Sequence, residues 1–123
     1  MDLTNKQLIS SHLCMTKHIG INGNLFGGEM VSWLDTAGAI FASKKAKAKQ
    51  IVTVEMDKVQ FNKPVRVGDV IEIYGEVNRI GRTSITVTVT AINTNIETEE
   101  NYKVCETNMV FVKIDSKGKP TAI

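Results

Sequence analysis

The stretch NGNLFGGEMVSWLDTAGAIFAS, residues 22–43, decides the fold. Its opening is crowded with turn formers: Gly20, Asn22, Gly23, Asn24, Gly27 and Gly28 fall close together, where bare backbone can approach a ligand. From about Glu29 to Ala46 the apolar residues then take up a helical rhythm. Met30, Trp33, Leu34, Ala37, Ile40 and Phe41 recur three or four apart and predict one buried stripe. The opposite face, with Gly28, Ser32, Asp35, Gly38 or Ala39, and Ala42, is small rather than charged, so it is expected to be approached closely. Lys44, Lys45, Lys47 and Lys49 gather at the C-terminal end, where the helix dipole favours cations; the plainest reading is a solvated helix end.

Working outward, residues 6–16 read as a first strand, with Leu8, Ile9, Leu13 and Met15 apolar. Downstream of the helix, Val52, Val54 and Met56 alternate, and Val59 and Phe61 continue in the opposite phase, which predicts a bulge near Asp57-Lys58. Pro64 and Gly68-Asp69 mark a turn. Ile71, Ile73, Gly75 and Val77 alternate next, then Ile85, Val87, Val89 and Ala91 against Thr86, Thr88 and Thr90, with Gly81-Arg82 between them as a hairpin. A last strand covers about Tyr102 to Asp115, and the tail Lys117 to Pro120 is expected to be loose. One long helix followed by antiparallel strands is an α+β layer plan, expected as a single domain over residues 1–123.

Composition narrows the function. Hydrophobic residues make up 42% and charged residues 23%, with a formal net charge of +2. No strong field and no basic stretch interleaved with aromatics argues for nucleic acid. The run from Ala37 to Ala42 is too short to span a bilayer, so no membrane partner is expected. Met1 to Lys6 lacks a cationic segment followed by an apolar core, and a cytoplasmic location is expected. Cys14 and Cys105 have no metal-like spacing and read as buried reduced thiols.

Few residues can carry chemistry. Asp35 is an unfavoured residue mid-helix, among small neighbours; it is a functional acid, a solvated surface carboxylate or the partner of a nearby lysine. Gly27 and Gly28 stand where free N–H groups and the helix dipole favour an oxyanion, or they form a turn without a ligand. His18 can serve as base or ligand, but His12 is the only other histidine and no metal cluster forms. Arg82, Thr83 and Ser84 either grip phosphate or make a polar hairpin tip.

These residues resemble a known family. Asn22 to Gly28, then Trp33-Leu34-Asp35 and Ala37-Gly38-Ala39, look like the signature of the hotdog-fold acyl-CoA thioesterases, in the branch of bacterial broad-range acyl-CoA hydrolases. Val52-Thr53-Val54, Phe61 with Pro64-Val65, Gly68-Asp69 and Gly81-Arg82-Thr83-Ser84 extend the match from about residue 8 to the end. Glu29 and Trp33 depart from the pattern.

The resemblance implies a long central helix wrapped by a curved antiparallel sheet. It also implies a homodimer, three of which form a hexamer, with active sites at the dimer interface. It places the catalytic acid on Asp35, the oxyanion amide on the Gly27-Gly28 stretch (Gly28 above all) and the loop asparagine on Asn22. Thr53 falls near the thioester, and Gly81, Arg82, Thr83 and Ser84 fall at the pantetheine and phosphates. The implied reaction is hydrolysis of acyl-CoA to a carboxylic acid and free CoA. No metal or redox cofactor is expected, because a thioester is already activated and CoA is part of the substrate. The alternatives are a non-enzymatic acyl-CoA binding module and a 3-hydroxyacyl-thioester dehydratase using His18.

Overall fold

The computed structural model describes residues 2–123. In chain order it contains β1 (Gln7–Leu13), a short 3-10 turn (Thr16–His18), α1 (Gly27–Ala46), β2 (Ile51–Met56), β3 (Val70–Ile80), β4 (Ser84–Thr94) and β5 (Asn101–Lys113). The strands form one antiparallel sheet in the order β1-β3-β4-β5-β2. The helix lies chiefly across β4, with β3 and β2 at its flanks. A helix wrapped by an antiparallel sheet, as the resemblance implies, is what the chain adopts.

α1 starts at Gly27, two residues before the expected start, so both glycines belong to its first turn. It runs 20 residues, about 30 Å at 1.5 Å per residue. It stops where Lys47 takes a left-handed conformation, φ 53°, and the Ala48 N–H returns to the Ser43 carbonyl. Its buried face is Met30, Leu34, Ala37, Gly38, Phe41 and Ala42, which corrects the expected stripe. Trp33 is only half-buried and Ile40 is exposed, while Gly38 and Ala42, assigned to the outer small face, look into the sheet. The reason is the bulk of the sheet: a Cβ on Gly38 would stand 2.8 Å from Met109 Sδ and 3.2 Å from Phe111 Cζ. Large side chains rise from β5 to meet the helix where Gly38 offers none.

β3 alternates buried and half-buried residues, with Ile71, Ile73 and Gly75 inward. β4 is buried on both faces from Val89 to Asn93, because its outward Thr90 donates to Glu106 and Asn93 donates to Asp69 and the Tyr102 hydroxyl. Three expectations change at the edges. The first strand ends at Leu13, not residue 16, and gives way to the 3-10 turn. The bulge in β2 falls between Thr53 and Glu55, and no strand continues over Val59 and Phe61. That segment still runs beside β5, through the Asp57 N–H to Asn108 O and the Asn62 N–H to Val104 O. The tail is not loose: Asp115 accepts from the Lys117 and Lys119 amides, Thr121 N–H reaches Lys113 O, and Ile123 N–H reaches Arg82 O.

Gly38→Val places branched bulk on the helix–sheet contact and is expected to lower the unfolding free energy by about 1–3 kcal/mol, read from urea denaturation. An unchanged midpoint would show that the helix does not lie this close to β5.

Candidate functional site

Two parts of the chain converge on α1. At its N-terminal end, Phe26 is the residue that caps the helix, and it supplies no side-chain hydrogen bond. Its carbonyl takes the N–H groups of Glu29 and Met30. Gly27 and Gly28 N–H find no acceptor among the described residues and project from the positive end of the dipole. The Phe26 ring lies over Gly28, where a Cβ would stand 2.6 Å from it, so a side chain at this position would push the ring aside.

Seven residues further on is Asp35. Seven residues are just under two turns, so Asp35 and Gly28 share a side of the helix about 10 Å apart, and the aspartate side chain leans back toward the N-terminus. Asp35 is half-buried in the single chain. Thr53 of β2 donates its hydroxyl to Asp35 Oδ1 at 2.9 Å, which leaves Oδ2 free. The carboxylate is therefore anchored to an edge strand, not to a lysine. Sequence reasoning set Thr53 near the thioester; the structure puts it on the acid itself.

A cavity of about 340 Å³ opens at the helix N-terminus, with Asn22, Gly27, Phe61, Lys63, Pro64 and Val65 in its wall. The Asn22 Oδ1 accepts from the Asn24 N–H at 3.2 Å, an Asx-type turn that leaves the amide NH₂ unengaged. Asn22 and Gly27 are thus brought together, while Asp35 lines a different stretch of the same helix side. The contribution of Leu25 and Val65 is illegible in sequence: Leu25 N–H bonds Val65 O at 2.7 Å, a loop-to-loop contact with no periodic signal.

Gly81, Arg82, Thr83 and Ser84 form the tip between β3 and β4, closed by the Gly81 N–H to Ser84 O bond. Ser84 pairs across β5 with Val112, which pairs with Val52 of β2. The tip therefore lies level with Thr53's strand end but two strands away, roughly 10 Å at the usual spacing. The four residues stand near the acid and not on it.

His18 is otherwise occupied. Its Nδ1 accepts from the Met15 N–H at 2.9 Å, its Nε2 is 3.7 Å from Glu29 Oε1, and its ring meets Trp33 edge-on. His12 stacks on Trp33 with ring centroids 4.5 Å apart; burial, and then His18, push its pKa down. Trp33 and Glu29, the two departures from the family pattern, thus meet two histidines, a cluster that nothing in the spacing announced. Among the described residues, no group of three or more His, Cys, Asp or Glu side chains is placed to hold a metal.

Comparison with known proteins gives the class. A model of the thioesterase superfamily matches residues 22–100. Acyl-CoA thioester hydrolase YciA of Escherichia coli is 33% identical over 119 residues, covering 94% of this chain and 89% of that protein. A hexameric thioesterase from Yersinia pestis superposes with a TM-score of 0.89 at 34% identity, covering 98% of both chains. An acyl-CoA hydrolase from Staphylococcus aureus, solved with butyryl-CoA and CoA, gives 0.88 at 27% identity, covering 96% of this chain and 71% of that one. The chain belongs to the thioesterase superfamily.

The cysteines take no part in this site. Burial raises the Cys105 thiol to about 12, with Glu106 adding to it, and burial followed by Asp69 raises Cys14. Both thiols are buried and their thiolates disfavoured, so Ellman's reagent is expected to label neither in the native protein and both after denaturation. Fast native labelling of either would refute the burial described.

Proposed function

We propose that the chain is an acyl-CoA thioester hydrolase, releasing a carboxylic acid and free CoA, with Asp35 as its acid. The observation that carries this is the Thr53–Asp35 hydrogen bond, set on the helix side that also presents the free Gly28 amide. A thioester carbonyl docked at Gly28 would develop its oxyanion against an N–H and the positive helix end. Loss of one such donor typically costs about 3 kcal/mol of transition-state stabilisation. Asp35 would act either as general base on a water or as nucleophile on the carbonyl. Labelled-oxygen incorporation in a single turnover separates the two routes. Asn22 and Gly27 would line the approach, with Gly81, Arg82, Thr83 and Ser84 toward the CoA phosphates. The thioester needs no metal or redox cofactor, since its leaving group is already good.

Residues 1–123 act here as one thioesterase domain, and the working unit is a homodimer, three of which make a hexamer like the Yersinia relative's. The support is β2: it is an edge strand, its Val52 and Val54 are exposed, and it carries the partner hydroxyl of the acid. A reducing, cytoplasmic setting fits a CoA substrate and two unpaired buried thiols.

The decisive experiment is a thiol-release assay over acyl-CoAs of graded chain length beside Asp35→Ala. Turnover of at least one length is expected, and the variant should lose about 10²–10⁴-fold while keeping its assembly state. An active Asp35→Ala enzyme would sink the assignment. Tight CoA binding with no thiol released would favour a binding module, and double-bond formation from a 3-hydroxyacyl substrate a dehydratase. Thr53→Val should reduce kcat more than KM, with Thr53→Ser restoring most of it; equal loss in both variants would give the hydroxyl no role in orienting the acid.

A further inference from the structure

Glu29 and Trp33 of α1, the two departures from the family pattern, meet His12 of β1 and His18 of the 3-10 turn in a cluster that the proposed chemistry does not use. His18 is its hub. The side chain is only 12% exposed, and three parts of the chain close on the residue. From the segment leaving β1, the Met15 N–H donates to Nδ1 at 2.9 Å. From the end of the glycine-rich loop, the Phe26 N–H donates to the His18 carbonyl at 2.9 Å, and the Ile19–Leu25 bridge stands next to that bond. Residues 18–26 are thus a closed loop that carries Asn22. From the helix, Glu29 Oε1 lies 3.7 Å from Nε2, and Trp33 meets the imidazole edge-on with centroids 5.3 Å apart. Phe26, on which the loop closes, is also the cap of α1, directly before Gly27 and Gly28. A shift of His18 therefore displaces Asn22 and both glycine amides together.

We propose that His18 is a positioning residue for the oxyanion site: its neutral ring, held between the Met15 amide and Trp33, sets the loop and the first turn of α1 so that Asn22 and the Gly28 amide can receive a carbonyl. The inference rests on the proposed hydrolase reading and gives His18 no contact with substrate. The hydrogen bond requires the neutral ring. Because Nδ1 accepts from Met15, the one ring proton sits on Nε2, on the side of Glu29. A second proton would occupy Nδ1 and set N–H against N–H, releasing the turn. The titratable groups that face the ring are Glu29 on α1 and, by way of Trp33, His12 on β1. Histidine is the side chain that changes charge between about pH 5 and 8, so positioning of this kind leaves a mark on the pH profile. A misplacement of about 1 Å at a reacting group can cost about 10²-fold in rate, which makes the loop's seating matter.

The test measures kcat and KM from about pH 5 to 8 for the full chain, His18→Ala, His18→Asn and His12→Phe, on an acyl-CoA that the unaltered protein turns over. Hydrogen exchange over residues 19–28 is followed alongside. His18→Ala should lose about 10²-fold in kcat with KM little changed, and residues 19–28 should exchange faster. In His18→Asn the side-chain carbonyl still accepts from the Met15 N–H and does not titrate. That variant should recover most of kcat at the alkaline end and hold its rate further toward the acid end than the unaltered protein. His12→Phe keeps an aromatic ring against Trp33 without a charge, and its profile should follow the unaltered one. Equal losses in the Ala and Asn variants, or coincident profiles for His18→Asn and the unaltered protein, would overturn the inference. So would an acid fall that vanishes in His12→Phe, which would assign the titration to that residue. If His18→Ala fails to fold, the Asn profile alone decides. An unaltered protein that releases no thiol from any acyl-CoA sinks the hydrolase reading and the positioning with it; an active one whose loop exchange ignores His18→Ala sinks the positioning alone.

Discussion

The close seating of α1 on the sheet is the constraint on which the rest depends. Met109, Phe111 and Val89 rise from β5 and β4 against a helix that offers Gly38 and Ala42 in return. Interiors tolerate few voids, so this complementarity fixes both the distance and the rotation of the helix. Once rotation is set, the remaining sides have no freedom. Trp33 must turn toward β1, where His12 receives it, and Asp35 must turn toward β2, where Thr53 receives it.

From that rotation the chemistry follows without further devices. Both ends of the proposed reaction are served by one straight element: a donor amide where its backbone is unpaired, and a carboxylate two turns on. The sheet supplies what a helix lacks, a hydroxyl from a neighbouring strand to hold one carboxylate oxygen. The hairpin tip and the helix C-terminus collect the cations because both are chain reversals, where lysine can reach water without displacing core.

Much of this was legible in sequence because periodicity and turn chemistry are local. The helix, the β3–β4 hairpin and β5 follow from spacing; the pattern also singled out Asp35 among small residues but left it open whether it was functional. The rotation of the helix was not legible. Trp33 and Ile40 fit the apolar stripe as well as Gly38 and Ala42 fit the small one, and only the sheet's own bulk chooses between them. Val59 and Phe61 alternate like a strand, yet the segment reaches β5 through the isolated Asp57 and Asn62 amides, and Pro64 has no N–H to extend the pairing. The tail looked loose because its order depends on Asp115 accepting two amides and on Arg82 accepting a third, contacts that no composition reveals.

Thr53 belongs to a strand with a neighbour on one side only. Edge strands open more readily than central ones, and each opening of β2 would carry the hydroxyl off the carboxylate. Whatever stiffens that margin, a docked subunit above all, therefore also tightens the acid, through a single bond and without any change of shape elsewhere. In the proposed enzyme, subunit docking and the hold on the carboxylate would thus meet in the six residues of β2.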